Sequence, residues 1–303
     1  MTELTRIALP TGVTLDVAIA GDPANPPLIF LHGFPESHRT WRHQLTEFAR
    51  DHYVVAPDQR GFARSSKPEG AENYSPDKPV GDLIALADHL GIGAFTLVGH
   101  DWGGAISWMA ALQNPGRIAR LIILNAPHPL IFQRTLFDDP AQRLASQYMT
   151  AFRNPDFEKF VEALTIPGFF DKTFSQHADP ALLAPERDTY IDQWSQPGAM
   201  TAMLNWYRGS SVIVPAPGET PERPAWLDGP FPPVTQPTLV IWGLGDTALL
   251  PSQLEGLDAM VPDLTVVKVE AGHFVPWENP AAVNAAIRDW LNQNPLPEGE
   301  DGP

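Results

Sequence analysis

Phe95-Thr96-Leu97-Val98-Gly99-His100-Asp101-Trp102-Gly103-Gly104-Ala105 is the stretch from which the fold is read. Residues 95–98 form a short apolar run of the length of a buried strand. Residues 105–113 read as a helix that ends before Asn114-Pro115. The Gly-x-Asp-x-Gly between them leaves room only for a tight turn, so a strand passes into a helix at Asp101. The flanking glycines carry no side chain to hold strand and helix apart. The helix N-terminus turns free N–H groups and the positive end of its dipole toward the site. This is the strained strand–turn–helix pattern that presents a nucleophile, with Asp where Ser is usual.

Working outward, similar runs recur at residues 13–20 (after a Thr11-Gly12 turn), 28–31, 53–56, 121–124, 239–242 and 265–269. Short, partly β-branched runs of this kind suit buried parallel strands. Helices lie between several of them. Residues 80–90 place Leu83, Ala87 and Leu90 on one face and stop at Gly91. The last helix has Asn279 as N-cap and Pro280 in its first position, with Val283, Ile287, Trp290 and Leu291 along one face. The alternation predicts an α/β protein with a mostly parallel sheet and helices on both sides.

The alternation breaks between about residues 128 and 235. Residues 142–152, 157–164, 186–194 and 199–207 read as helices, followed by a Pro-rich return over 214–237. That return holds too many prolines for a helix or a central strand, and reads as a stiffened extended connection. The stretch 128–235 is therefore read as a helical cap over the active edge of a core made of 1–127 and 236–303. The acidic tail 296–303, rich in Pro and Gly, is expected to fray.

Composition narrows the function. Of 303 residues, 43% are hydrophobic and 18% charged, enough for a sizeable core. Cys is 0, which excludes disulfides, cysteine zinc sites and a cysteine nucleophile. Lys+Arg 20 against Asp+Glu 36 makes a net charge of −16, a surface that repels phosphates and argues against nucleic acid and anionic membranes as partners. No run of eighteen apolar residues and no secretory leader is visible, so a cytoplasmic location is expected.

An Asp at the turn changes the chemistry. A serine attacking a saturated carbon would make an ether, which resists hydrolysis. A carboxylate makes an ester, which water can open to regenerate the carboxylate. The site thus points to displacement at a carbon bearing a strained C–O bond or a halogen. Partners follow in chain order nucleophile, acid, His. The strand at 239–242 leads to Asp246 through Gly243-Leu244-Gly245, and the strand at 265–269 leads through Gly272 to His273. Singly, these read as a turn acid and a loop histidine. Together at successive strand ends, His273 reads as the base for water and Asp246 as its orienting acid. His32-Gly33-Phe34-Pro35-Glu36 leaves the strand at 28–31, where the N–H groups of Phe34 and Trp102 can form an oxyanion hole. Phe34-Pro35 is a candidate cis bond, and His32 reads as a loop-tying histidine.

These segments resemble the α/β-hydrolase superfamily in its epoxide hydrolase branch over nearly the whole chain. The likeness rests on His32–Ser37, Trp41-Arg42-His43-Gln44, Asp58-Gln59-Arg60-Gly61, Gly99–Gly104 and Gly272-His273-Phe274. It implies the α/β-hydrolase fold, with an eight-stranded sheet and an inserted cap. It also implies two cap tyrosines that hydrogen-bond the epoxide oxygen. Ser146-Gln147-Tyr148, with Phe152 and Pro155, and Asn205-Trp206-Tyr207-Arg208 match those segments. Ring opening expels an alkoxide, which neutral O–H donors stabilise; halide departure needs no proton. The loop Gly61-Phe62-Ala63-Arg64-Ser65 departs from the family by carrying Ala63 where a second glycine is frequent.

The resemblance implies an epoxide substrate, water as co-substrate, a vicinal diol product and no metal or other cofactor. Phe34, Pro35, Trp102, Trp206 and Phe274 are the expected pocket residues, and a homo-oligomer is compatible with this reading. The nearest rival is a haloalkane dehalogenase, with Trp102 and a cap donor such as Trp206 holding the halide. In one large dehalogenase group the second donor is an Asn, here Phe34, and the acid follows the sixth strand, here Asn125. A haloacetate dehalogenase typically has Arg after the nucleophile, here Trp102. A non-catalytic hydrolase-fold binder is the reading from another class.

Overall fold

The computed structural model describes residues 2–175 and 179–296. Residues 297–303, and with them most of the acidic tail, lie outside the described residues. Eight strands form one sheet: β1 Glu3–Ala8, β2 Thr14–Ala20, β3 Pro27–Leu31, β4 Tyr53–Pro57, β5 Phe95–His100, β6 Ile118–Leu124, β7 Thr238–Gly243 and β8 Leu264–Val269. Their order is β1-β2-β4-β3-β5-β6-β7-β8. The first two strands pair antiparallel, β1 with β2 and β2 with β4, and all remaining pairs are parallel.

The apolar runs work because side chains alternate across a strand. On β3, Leu28 and Phe30 join the cluster on one face of the sheet, while Ile29 and Leu31 join the other. The first face is covered by α1 Arg42–Phe48 and α12 Pro280–Gln293, through Leu45, Phe48, Val283, Ile287 and Trp290. The second is covered by α2 Asp77–His89 and α3 Trp102–Gln113, through Leu83, Leu86, Ile106 and Trp108. Asn279 caps α12, its side chain accepting from the N–H of Ala282 at 3.3 Å. The helix α2 starts three residues before the expected 80, because Pro79 is tolerated within a first turn.

Between β6 and β7 the chain is helical: α4 Pro129–Asp138, α5 Pro140–Ala145, α6 Gln147–Arg153, α7 Phe157–Ser175, α8 Pro180–Leu183, α9 Arg187–Trp194 and α10 Ala199–Arg208. The expected helix at 142–152 is two helices meeting at Ser146. The expected helix at 157–164 continues to Ser175 through a kink at Thr165, whose φ of 66° is followed by Pro167. The Pro-rich return holds only a short 3-10 turn at Ala225–Asp228 before β7. The short helix α11 Val275–Glu278 follows β8. Among the described residues no helix is long and apolar enough to cross a membrane.

This helical layer is tied to the sheet end beneath it. Trp194 donates its indole N–H to the carbonyl of Pro35 at 2.7 Å, and Arg39 grips Glu186 with two bonds of 2.6 Å. The side chain of Trp206 donates to the carbonyl of Arg60 at 3.0 Å.

Candidate active site

Asp101 stands between β5 and α3 at φ 51°, ψ −123°, a conformation a non-glycine residue rarely takes. The close approach that forces this turn is made by Gly103, where a Cβ would collide with the carbonyl of Leu31 on β3. Gly33 has the same reason on the facing loop, because a Cβ there would overlap the Asp101 carboxylate itself. Two small residues thus let the β3 loop close over the turn. The backbone N–H of Phe34 then donates to Oδ1 of Asp101 at 2.7 Å, and the Trp102 N–H also interacts with the carboxylate. The Phe34–Pro35 peptide is cis.

His273 follows β8 and Asp246 follows β7, so neighbouring parallel strands deliver both to the end where β5 delivers Asp101. Nδ1 of His273 lies 2.7 Å from Oδ2 of Asp246. Nε2 lies 3.6 Å from Oδ2 of Asp101, a charge contact too long for a hydrogen bond. Asp246 is held in turn: its Oδ1 accepts from the N–H groups of Ala248 and Leu249 at 2.8 and 2.9 Å. Asn125, at the end of β6, donates to Oδ2 of Asp246 at 2.7 Å and accepts from the N–H of Gly243 at 2.8 Å. Asn125 was legible as the residue after the sixth strand but not as this brace, because an amide draws no notice until its neighbour is known.

Charge and burial oppose each other here. Burial pushes Asp101 up, but the close contact with His273 and its charge outweigh it, and the carboxyl titrates below its ordinary range. Asp246 is likewise pushed up by burial and brought below its usual value by the His273 charge and hydrogen bond. Burial works against a charge on His273, yet the two carboxylates raise its pKa well above the ordinary imidazole value. Next to His273, His100 is fully buried, with Nε2 2.8 Å from the His273 carbonyl oxygen. Glu36, buried beside it, accepts from the indole of Trp277 at 2.8 Å and from the hydroxyl of Tyr190 at 3.1 Å. Burial raises Glu36 to about 7 against those bonds.

Two cavities meet at Asp101. One, of about 190 Å³, is lined by Trp102, Ile106, Met109, Met149 and Leu249 among others. The second, of about 420 Å³, is lined by Phe34, Pro35, Phe152, His273 and Phe274 among others. Asp101, Tyr148 and Tyr207 line both. The two tyrosines come from α6 and α10 and their rings meet edge to face at 6.0 Å. Burial raises both phenols, Tyr207 and Tyr148 alike, and the Asp101 charge adds to it, so both stay neutral O–H donors.

One expected pocket residue is not there. Trp206 packs against Phe62 and Trp102 and lines neither cavity, with its N–H occupied by the Arg60 carbonyl. Successive residues on a helix point about 100° apart, so α10 cannot turn both Tyr207 and Trp206 to the cavity. Trp206 is thereby removed as a halide donor. Phe34, Pro35, Trp102 and Phe274 do line the cavities. His32 braces the β3 loop, with Nε2 accepting from the N–H of Gln59 at 3.0 Å and Nδ1 2.9 Å from the Gly33 carbonyl oxygen. Among the described residues no group of three His, Asp or Glu side chains stands together to hold a metal ion.

Comparison with known proteins agrees with this geometry. Residues 26–280 match the family model of the alpha/beta hydrolase fold. The chain is 35% identical over 283 residues to AB hydrolase superfamily protein YfhM of Bacillus subtilis (strain 168), covering 92% of this chain and 95% of that protein. It is 32% identical over 292 residues to Epoxide hydrolase 4 of Homo sapiens, covering 93% of this chain and 77% of that one. A solved structure described among novel epoxide hydrolases from metagenomes of hot environments superposes with a TM-score of 0.89 at 49% identity, covering 96% of this chain and 99% of the other. An aspartate on the β5 turn, paired with a histidine and faced by two tyrosines, thus stands in a chain that belongs to the epoxide hydrolase family of the α/β-hydrolase superfamily.

Proposed function

We propose that the protein hydrolyses epoxides to vicinal diols in two steps, with residues 128–235 acting as a cap over the core of 1–127 and 236–303. The observation that carries this reading is that Tyr148 and Tyr207 line the same two cavities as Asp101. Two neutral phenols held opposite a carboxylate suit a leaving group that departs as an alkoxide.

In the first step the epoxide oxygen accepts hydrogen bonds from Tyr148 and Tyr207. Oδ2 of Asp101 attacks a ring carbon from the opposite side, a C–O bond of the ring breaks, and the alkoxide takes a proton from a tyrosine. Oδ1, already held by the Phe34 N–H, becomes the ester carbonyl oxygen. In the second step His273, steadied by Asp246, removes a proton from water. The hydroxide adds to Cγ of Asp101, and the oxyanion on Oδ1 is held by the Phe34 and Trp102 N–H groups. Collapse breaks the Cγ–Oδ2 bond, the departing alkoxide takes the proton held by His273, and the diol leaves with that oxygen; solvent water reprotonates the tyrosinate and takes up the proton that Asp101 releases.

The test is diol release from styrene oxide, with halide release from 1-chlorobutane and 1-bromobutane followed in parallel. Diol without halide is expected. In His273→Gln, mass spectrometry should show the substrate added to Asp101. Halide without diol, or normal steady-state turnover by His273→Gln, would overturn the scheme.

A further inference from the structure

The two cavities differ in size and in lining, and both reach the surface. The smaller is walled by Ile106, Met109, Met149, Val212 and Leu249 together with Trp102 and Phe132, and ends at the exposed Ser211. The larger is walled by Phe34, Phe152, Phe157, Phe160, Phe169 and Phe274, and ends at the exposed Thr247 and Lys172. Among the described residues they have only Asp101, Tyr148 and Tyr207 in common. The reacting atoms therefore sit in a passage with a chamber on each side, not at the bottom of a single pit.

An epoxide held there has little freedom. Its oxygen is fixed toward the two hydroxyls and one ring carbon toward Oδ2 of Asp101. Substituents on the two ring carbons point away from each other, so each carbon's substituent enters a different chamber. We propose that the site is built for internal epoxides substituted on both ring carbons, with a flat aryl group among the phenylalanines and a short alkyl group in the smaller chamber. A dry apolar cavity of about 150 Å³ takes a benzene ring. The smaller chamber's 190 Å³ includes the shared space at Asp101, which the epoxide ring itself fills, so what remains suits a short alkyl chain. The larger chamber, at 420 Å³, has room for a ring after the same deduction, and rings pack well edge to face against phenylalanines. The reading rests on the epoxide hydrolysis proposed above and adds its substrate class.

The experiment compares trans-1-phenyl-1,2-epoxybutane with styrene oxide, as a ratio of kcat/KM values. The wild-type protein should turn over the internal epoxide at least as well as the terminal one. Val212→Trp fills the smaller chamber and should lower the ratio about tenfold, roughly the worth of two buried methylene groups. Ser211→Trp, on its exposed rim, should move the ratio the same way and guards against a folding defect in the first variant. Ala151→Trp, in the larger chamber, should depress both substrates together, because both carry the aryl group. Turnover of styrene oxide with exclusion of the internal epoxide would overturn this inference alone. So would an equal loss on both substrates in Val212→Trp and Ser211→Trp. Absence of turnover of both epoxides would instead overturn the epoxide reading and this inference with it.

Discussion

The backbone N–H of Phe34 donates to Oδ1 of Asp101 at 2.7 Å, while His273 faces Oδ2 of the same carboxylate. The two oxygens of this carboxylate are therefore unequal. In the proposed mechanism the first becomes the ester carbonyl oxygen and the second attacks. A single turnover with enzyme in excess, run in water enriched in oxygen-18, should give a diol without label and an Asp101 that carries it. Label should enter the diol only in later turnovers. Labelled diol in the first turnover would mean that water attacks the epoxide directly, and would remove the ester from the scheme.

His273 owes its raised pKa to two carboxylates acting against burial. Forming the ester neutralises one of them, Asp101. The histidine then keeps the burial that disfavours its charge but only the Asp246 support, so its pKa falls once the ester exists. A base works above its pKa. Ester decay should therefore rise with pH and level off, with its midpoint below the pH at which His273 titrates in the free enzyme. Stopped-flow decay of the ester across a pH series, set beside an NMR titration of the free protein, measures both. A decay midpoint at or above the free-enzyme value would contradict this account.

Tyr148 and Tyr207 come from different helices and line the same two cavities, so either hydroxyl alone still offers a donor. Tyr148→Phe and Tyr207→Phe are each expected to slow ester formation about 10-fold to 100-fold. The double variant should lose roughly the 10²–10⁴ that general acid assistance supplies. Ester decay, which uses neither phenol, should change little in a single variant. Rapid-quench measurement of the two steps separates these outcomes, and an undiminished first step in the double variant would make the tyrosines packing residues.

Glu36 titrates near 7 because it is buried, despite accepting from Trp277 and Tyr190. In the unfolded chain the carboxyl has an ordinary pKa near 4.5. Between those two values the folded state holds a proton that the unfolded state has lost, so raising the pH through this window destabilises the fold. Above it the cost is roughly 3 kcal/mol. Glu36→Gln never ionises, so its melting temperature relative to wild type should climb from pH 5 to pH 8. A difference that stays flat across that range would show Glu36 to be ionised without strain.

The sheet and the meeting of Asp101, Asp246 and His273 were legible because each residue ends a short apolar run, and parallel strands bring such ends to one edge. Tyr148 and Tyr207 were legible from their flanking residues. What escaped notice has physical reasons. The strand β1 is an edge strand whose residues are largely exposed, with only Ile7 buried, so it leaves no apolar run. The helix α4 had no candidate of its own, and the break at Thr165 inside α7 depends on how the two halves pack. Trp206, expected in the pocket as a cap donor, lies one residue from Tyr207 on α10, and only the docked helix shows which of the two lines the cavities. Ala63, the departure from the family's loop, adopts φ 46°, taking up the left-handed conformation that a glycine would hold without strain.

The bonds from α9 into the β3 loop have one more consequence. Trp194 holds the Pro35 carbonyl and Tyr190 holds Glu36, and both partners directly follow Phe34 in the chain. The helical layer and the N–H that Asp101 accepts from are thus coupled through three consecutive residues, like a latch fastened to the part it protects. A tilt of α9 large enough to widen the passage would tug the Phe34 N–H away from Asp101. Admission of substrate by hinged opening would disarm the site for as long as the hinge stayed open, whereas the two end mouths allow traffic while it stays armed.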